Sequence, residues 1–116
     1  MKGTNVWHGS GNIASEVSYG RTGRGEAACN FRIIIEQAHK QLSFVRVNVY
    51  GGNVEVCRLR DLSRGDYVII HGELMNRQGN QTPGEMLTEV RCLEIVIIGQ
   101  QECVAGRRGN TRDEYY

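Results

Sequence analysis

Residues 43–52 read SFVRVNVYGG, and they alternate strictly. Val45, Val47 and Val49 fall on one face of an extended chain, while Phe44, Arg46, Asn48 and Tyr50 fall on the other. Three β-branched residues on one side are the pattern of a strand packed against a core. Two aromatics with an arginine and an amide between them, all on the opposite side, call for a different partner.

Downstream the period changes. In GNVEVCRLRDLSRGD, residues 52–66, Val54, Cys57 (or Arg58) and Leu62 recur at helical spacing; Asn53 is placed to cap the start and Gly65 to end the helix. YVIIHGEL (67–74) then reads as a strand, NRQGNQTPGE (76–85) as a long polar hairpin, and MLTEVRCLEIVII (86–98) as the last strand. Upstream, ACNFRIIIE (28–36) is a strand joined to the opening stretch through QAHKQL (37–42). A first strand covers Asn5 to Ile13, broken by Gly9 and Gly11 and therefore bent or closely packed. SEVSY (15–19) continues it, and GRTGRG (20–25) is a basic, glycine-rich turn.

Fifteen glycines against one proline, with recurrent β-branched runs between polar turns, fit an all-β domain. Five strands with one short helix between the third and fourth is the element order of an OB-fold, a five-stranded Greek-key barrel. The expected organisation is one OB-fold domain over residues 1–98 and a polar, flexible tail over 99–116.

Bulk charge names no partner, since 14 Lys+Arg face 13 Asp+Glu. The distribution is more informative: residues 1–50 hold six basic and three acidic residues, residues 51–98 five and seven. Nearly all the cations are arginines, which suit planar stacked or bidentate contacts. No apolar run approaches the ~20 residues that span a bilayer, and MKGTNVWHGSGN lacks a signal-peptide core. The expectation is a cytoplasmic protein with no membrane partner. Cys29 and Cys92 lie in apolar runs and Cys57 in the helix, as reduced, buried thiols do. Cys103, in the polar tail, is the more reactive candidate. Without C-x-x-C or histidines at ligand spacing, neither a metal site nor a cofactor is expected.

Closing the sheet leaves Phe44, Arg46, Asn48 and Tyr50 on the outer face. OB-folds commonly offer this region to oligonucleotides, and aromatic rings there stack unpaired bases for about 1–3 kcal/mol each. At ~3.3 Å per residue, Phe44 and Tyr50 stand about 20 Å apart, enough to meet different nucleotides. Arg32, on the neighbouring strand, extends the basic track. From the pattern alone, a protein interface or a small-molecule site stays open beside nucleic acid.

The chain resembles the bacterial-type single-stranded DNA-binding protein family. The matching pieces are GN at 11–12, EVSY at 16–19, NF at 30–31, SFVRVNVYG at 43–51, LSRGDYVIIHGEL at 62–74 and TEV at 88–90, in that order from about Asn5 to Ile98. The family's strand motif is aromatic–His–Arg–x–x–x–aromatic–Gly. On it Phe44 falls on a base-stacking tryptophan, Arg46 on the arginine and Tyr50 on the second stacking aromatic. Val45 replaces the histidine that helps hold the family's tetramer. The tryptophan of the second hairpin has no aromatic counterpart, His39 lying nearest, and the polar hairpin at 76–85 offers Arg77 but no aromatic.

The resemblance implies a protein that binds single-stranded DNA with little sequence preference during replication, recombination or repair. It implies a homo-oligomer, tetramer or dimer, with phosphate contacts from Arg46, Arg32 and the loop residues Arg21 and Arg24. It also implies replication or repair proteins as partners of the C-terminal tail, matched loosely by Asp113, Glu114, Tyr115 and Tyr116. Rival readings are an OB-fold primosome or assembly subunit that turns the same face to proteins, and a single-stranded RNA binder. Trp7 is expected in the core, and no catalytic constellation is present: HGSGN (8–12) lacks the nucleophile-elbow spacing, and GRTGRG does not join a strand to a helix.

Overall fold

The computed structural model describes residues 3–78 and 86–100. Its elements are β1 (Trp7–Ile13), β2 (Ser18–Arg21), β3 (Ala27–Glu36), β4 (Leu42–Tyr50), α1 (Gly52–Leu59), β5 (Tyr67–Gln78) and β6 (Met86–Gly99), with a 3-10 turn at Ala38–Lys40. The strands lie in the order β1-β5-β6-β4-β3-β2, and β1 also pairs with β3. That extra pairing closes the sheet into the five-stranded OB barrel.

β1 and β2 are two arms of one bent strand. Both run antiparallel to β3, with Ile13 opposite Ile33 and Ser18 opposite Asn30. The first strand spends more residues than β3 over that interval, so it bulges. The bulge is pinned by Ala14 N–H donating to the Arg32 carbonyl (2.9 Å) and Arg32 N–H donating to Ser15 Oγ (2.9 Å). Gly11 is needed where β1 crosses β3, because a Cβ there would collide with the Ile34 carbonyl. At Gly72, beside a register shift between β5 and β6, a Cβ would likewise collide with the Arg91 carbonyl.

Alternation sends Ile13, Phe31, Ile33, Val47, Val49, Val68, Ile70, Val90 and Cys92 into one core, with Val45 half-buried at its margin. Burying a side chain such as Phe31 contributes about 1.5–3 kcal/mol. α1 closes one end of the barrel through Val54 and Cys57, and Leu62 joins them from beyond the helix. Trp7 packs against the core only in part. Cys29, Cys57 and Cys92 are buried free thiols, whereas Cys103 lies outside the described residues. Burial, with Cys57 and Glu94 nearby, pushes the Cys92 thiol up to about 12.

The helix limits differ from the sequence expectation. Gly51, at φ 68, is the N-cap, and the Asn53 amide donates instead to the Leu93 carbonyl at 3.1 Å. The helix stops at Leu59, well before Gly65, because Asp61 takes up φ 53. Asp61 N–H then donates to Arg58 O and Leu62 N–H to Cys57 O, both at 3.0 Å, the paired bonds of a Schellman ending. Asp tolerates the left-handed region better than most residues. Gly65, at φ +97, serves the turn into β5 instead. β5 also runs on to Gln78, four residues past the expected Leu74, so the β5–β6 arm is longer than the pattern suggests.

Candidate nucleic-acid interface

The outward residues of β3 and β4 face one another in direct register. Ala28 stands opposite Tyr50, Asn30 opposite Asn48, Arg32 opposite Arg46 and Ile34 opposite Phe44. Phe44 is 62% exposed beside half-buried Ile34, an apolar ring left open to solvent. At the other end of β4, Tyr50 is half-buried, with the Arg91 guanidinium 5.3 Å from its ring centroid. Arg91 is also 3.4 Å from the Glu73 carboxylate.

Between the two rings sits an arrangement that β-sheet energetics disfavours. Arg32 and Arg46 are like charges directly across a strand pair. Arg46 is held from the other side by Glu89 of β6, whose carboxylate is 3.5 Å from Arg46 Nε and only 5% exposed. Glu89 accepts from Arg77 Nε (3.1 Å) and Nη2 (2.9 Å) and from the Asn48 amide (2.9 Å). Arg46 Nε is itself buried without a hydrogen-bond partner. Burial pushes the Glu89 carboxyl up, but hydrogen bonds from Arg77 and Asn48, with the charges of Arg77 and Arg46, outweigh it. The group therefore titrates below the usual carboxylate range.

This network separates the expected contact residues. Phe44, Arg46, Tyr50 and Arg32 share one face, and Arg77 reaches the same cluster from β5 through Glu89. Asn48 is on that face as well but is only 6% exposed; its amide is engaged by Glu89 and does not look outward. Arg21 and Arg24 are exposed on the β2–β3 turn, at the Tyr50 end, and Arg21 Nη1 donates to the Gly25 carbonyl at 2.7 Å. His39 is exposed at the Phe44 end, in the 3-10 turn, with φ 63. The platform thus runs along β4 with an exposed cation-bearing turn at one end and an imidazole at the other.

Glu89 and Arg91 were not among the residues singled out from sequence. Their signal was the alternation of Leu87, Glu89 and Arg91 against Thr88, Val90 and Cys92. What the alternation lacks is the neighbour: β6 joins β4 by a parallel pairing, Val47 with Val90 and Asn48 with Arg91, between segments far apart in the chain.

The sequence profile of the single-strand binding protein family matches residues 6–98. No curated protein matches the chain. Among solved structures, the fold is similar to the N-terminal domain of the PriB protein from Thermoanaerobacter tencongensis, described as dimeric. The TM-score is 0.64 over 81% of this chain and 96% of that one, at 15% identity, which shows a shared fold and no more.

Proposed function

The chain belongs to the single-strand binding protein family and binds single-stranded DNA in the setting of replication, recombination and repair; we propose that the outer face of β3, β4 and β6 is where it does so. The observation that carries this reading is Phe44, a large aromatic side chain 62% exposed on the same face as Arg32 and Arg46. A bare ring costs solvation unless something stacks on it, and opposed guanidinium groups repel unless an anion lies between them. An unpaired nucleic-acid strand supplies both a base and a phosphate. Tyr50 stacks a second base at the far end of β4, and Arg21 and Arg24 follow the backbone past it.

Family membership makes this a binding protein, not an enzyme. Its self-association belongs to the same proposal. Ile69 (43% exposed) and Val96 (53%) are direct neighbours across β5 and β6, and Ile98 (46%) lies beside them, away from the platform. An apolar strip of this kind supports a homo-oligomer, dimer or tetramer. Recruitment of replication or repair proteins by the C-terminal residues is a further proposal, and those residues lie outside the described part of the structure.

The test is fluorescence anisotropy with labelled oligo-dT, oligo-U and duplex DNA of equal length at two salt concentrations, on wild type and Phe44→Ala/Tyr50→Ala. The expected result is tight, salt-sensitive dT binding and weak duplex binding, with dT binding lost in the double variant. Unchanged dT binding in a folded double variant removes the platform from the mechanism, and tighter binding of oligo-U than dT favours the RNA reading.

A further inference from the structure

The outward row that contains Phe44 does not end at β3. Phe44 stands opposite Ile34, Ile34 opposite Asn12, and Asn12 opposite Tyr67, so one line of side chains crosses β4, β3, β1 and β5. The adjacent positions Ile13, Ile33 and Val68 fill the core, which fixes this line on the outside. With neighbouring strands about 4.8 Å apart, Tyr67 lies about 14 Å around the barrel wall from Phe44. Between them is an open depression of about 350 Å³, with Ser10, Asn12, Ile34, Glu36, Leu42 and Tyr67 in its walls. That volume falls within the range of clefts that hold small ligands, about 300–1,000 Å³.

We infer that this depression is a subsite for one base of the bound strand, and that it favours a base carrying an exocyclic amino group. The inference rests on the β3–β4 platform being the DNA site, because Ile34 is both a wall of the depression and the neighbour of the exposed Phe44 ring. The polar lining is mostly accepting. The Glu36 carboxylate is exposed and can only accept. Asn12 Nδ2 donates to the Gly65 carbonyl at 3.0 Å, so its amide oxygen is left as an acceptor. The Tyr67 hydroxyl donates to Ser10 Oγ at 2.8 Å, diagonally across β1 and β5, which leaves the Ser10 hydroxyl hydrogen as a donor.

A wall of acceptors repels phosphate. The strand therefore turns a base into the depression and keeps its backbone at Arg32 and Arg46, on the same outer face. A carboxylate accepts from the amino group of cytosine, and the Ser10 hydroxyl can donate to a ring nitrogen or carbonyl. Thymine has an oxygen and a methyl group where cytosine has that amino group, so it meets Glu36 acceptor to acceptor. Tyr67, Ile34 and Leu42 supply the apolar walls against which a flat ring packs.

The test is competition anisotropy of the full chain with oligo-dC and oligo-dT of equal length, on wild type and Glu36→Ala. Stacking on Phe44 and the loss of one negative charge act on both oligomers, so the readout is the ratio of their affinities. The dC-to-dT ratio should fall at least about fivefold in the variant, the low end of what a well-made base contact discriminates. In a second measurement, the wild-type complex with an oligo-dC containing 5-iodocytosine is irradiated. It should crosslink at Tyr67 as well as at Phe44. An unchanged ratio in Glu36→Ala, or crosslinks confined to Phe44 and Tyr50, overturns the subsite and leaves the platform standing. Absence of crosslinks at both Phe44 and Tyr50 overturns the platform reading, and the subsite falls with it.

Discussion

The two outer sides of this barrel are built on opposite plans. Along β3, β4 and β6, charge is concentrated: Arg32 faces Arg46, and a nearly buried Glu89 gathers Arg46, Arg77 and Asn48 around itself. Along β1, β5 and β6 an apolar strip, Ile69 against Val96, runs beside a polar row of His8, His71 and Glu94. On the proposed reading, the first side holds electrostatic cost that an anionic strand would relieve, and the second holds hydrophobic cost that a second copy of the chain would relieve. Both sides share one core, so changes confined to one should leave the other working.

The largest expected effect comes from removing the rings. Phe44→Ala and Tyr50→Ala should each weaken oligo-dT binding by about 1–3 kcal/mol, measured by anisotropy. The melting temperature should move little for Phe44, which is mostly exposed, and more for Tyr50, which is half-buried. If the Phe44 variant instead dissociates the oligomer, the two sides have been assigned the wrong way round. The converse substitution, Val96→Glu, should lower the mass seen by light scattering while leaving dT affinity within twofold, about 0.4 kcal/mol.

Glu89→Gln should lower thermal stability by about 1.5–3 kcal/mol, the range for hydrogen bonds to charged groups. In the same variant, bound oligo-dT should raise the melting temperature by more than it does in wild type, because Arg46 and Arg77 then turn to phosphate. The pH dependence follows in sign. A carboxyl whose folded value is depressed adds stability that is present at neutral pH and lost as pH falls through that value. Wild type should therefore lose stability in mild acid, below about pH 4.5, more steeply than Glu89→Gln, as chemical denaturation at several pH values would show. Smallest of all is the effect of Arg32→Ala on salt sensitivity: one lost phosphate contact should flatten the slope of log affinity against log salt by about 0.7.

How far the sequence carried depended on the range of the interaction. β3 and β4 are local: one alternating pattern and one short connection place Phe44, Arg46 and Tyr50 together on a face, opposite the buried Val47 and Val49. Gly65 is the conspicuous helix terminator in the sequence, but Asp61 adopts the left-handed conformation itself and ends the helix earlier. Asn48 read as a contact because alternation gives its face but not its neighbour, Glu89, which arrives from 41 residues away. His8 and His71 are separated by 63 residues, and only the β1–β5 register brings their rings within hydrogen-bond distance.

The seams of the barrel carry a consequence for how it assembles. β3 and β4 pair over nine positions across a short connection, and β5 and β6 over twelve. Three pairings convert these hairpins into a closed ring: β1 adds to β5 over six positions, and the two seams, β1 with β3 and β4 with β6, comprise two positions each. Long ladders with short loops form early, since little chain entropy is lost in closing them, whereas the short seams join distant segments and gain little until the core is in place. The folding transition state should therefore contain the hairpins, with Val47 and Val90 consolidating late. Substitutions at the seams should speed unfolding far more than they slow folding, and ring closure should set the lifetime of the folded state.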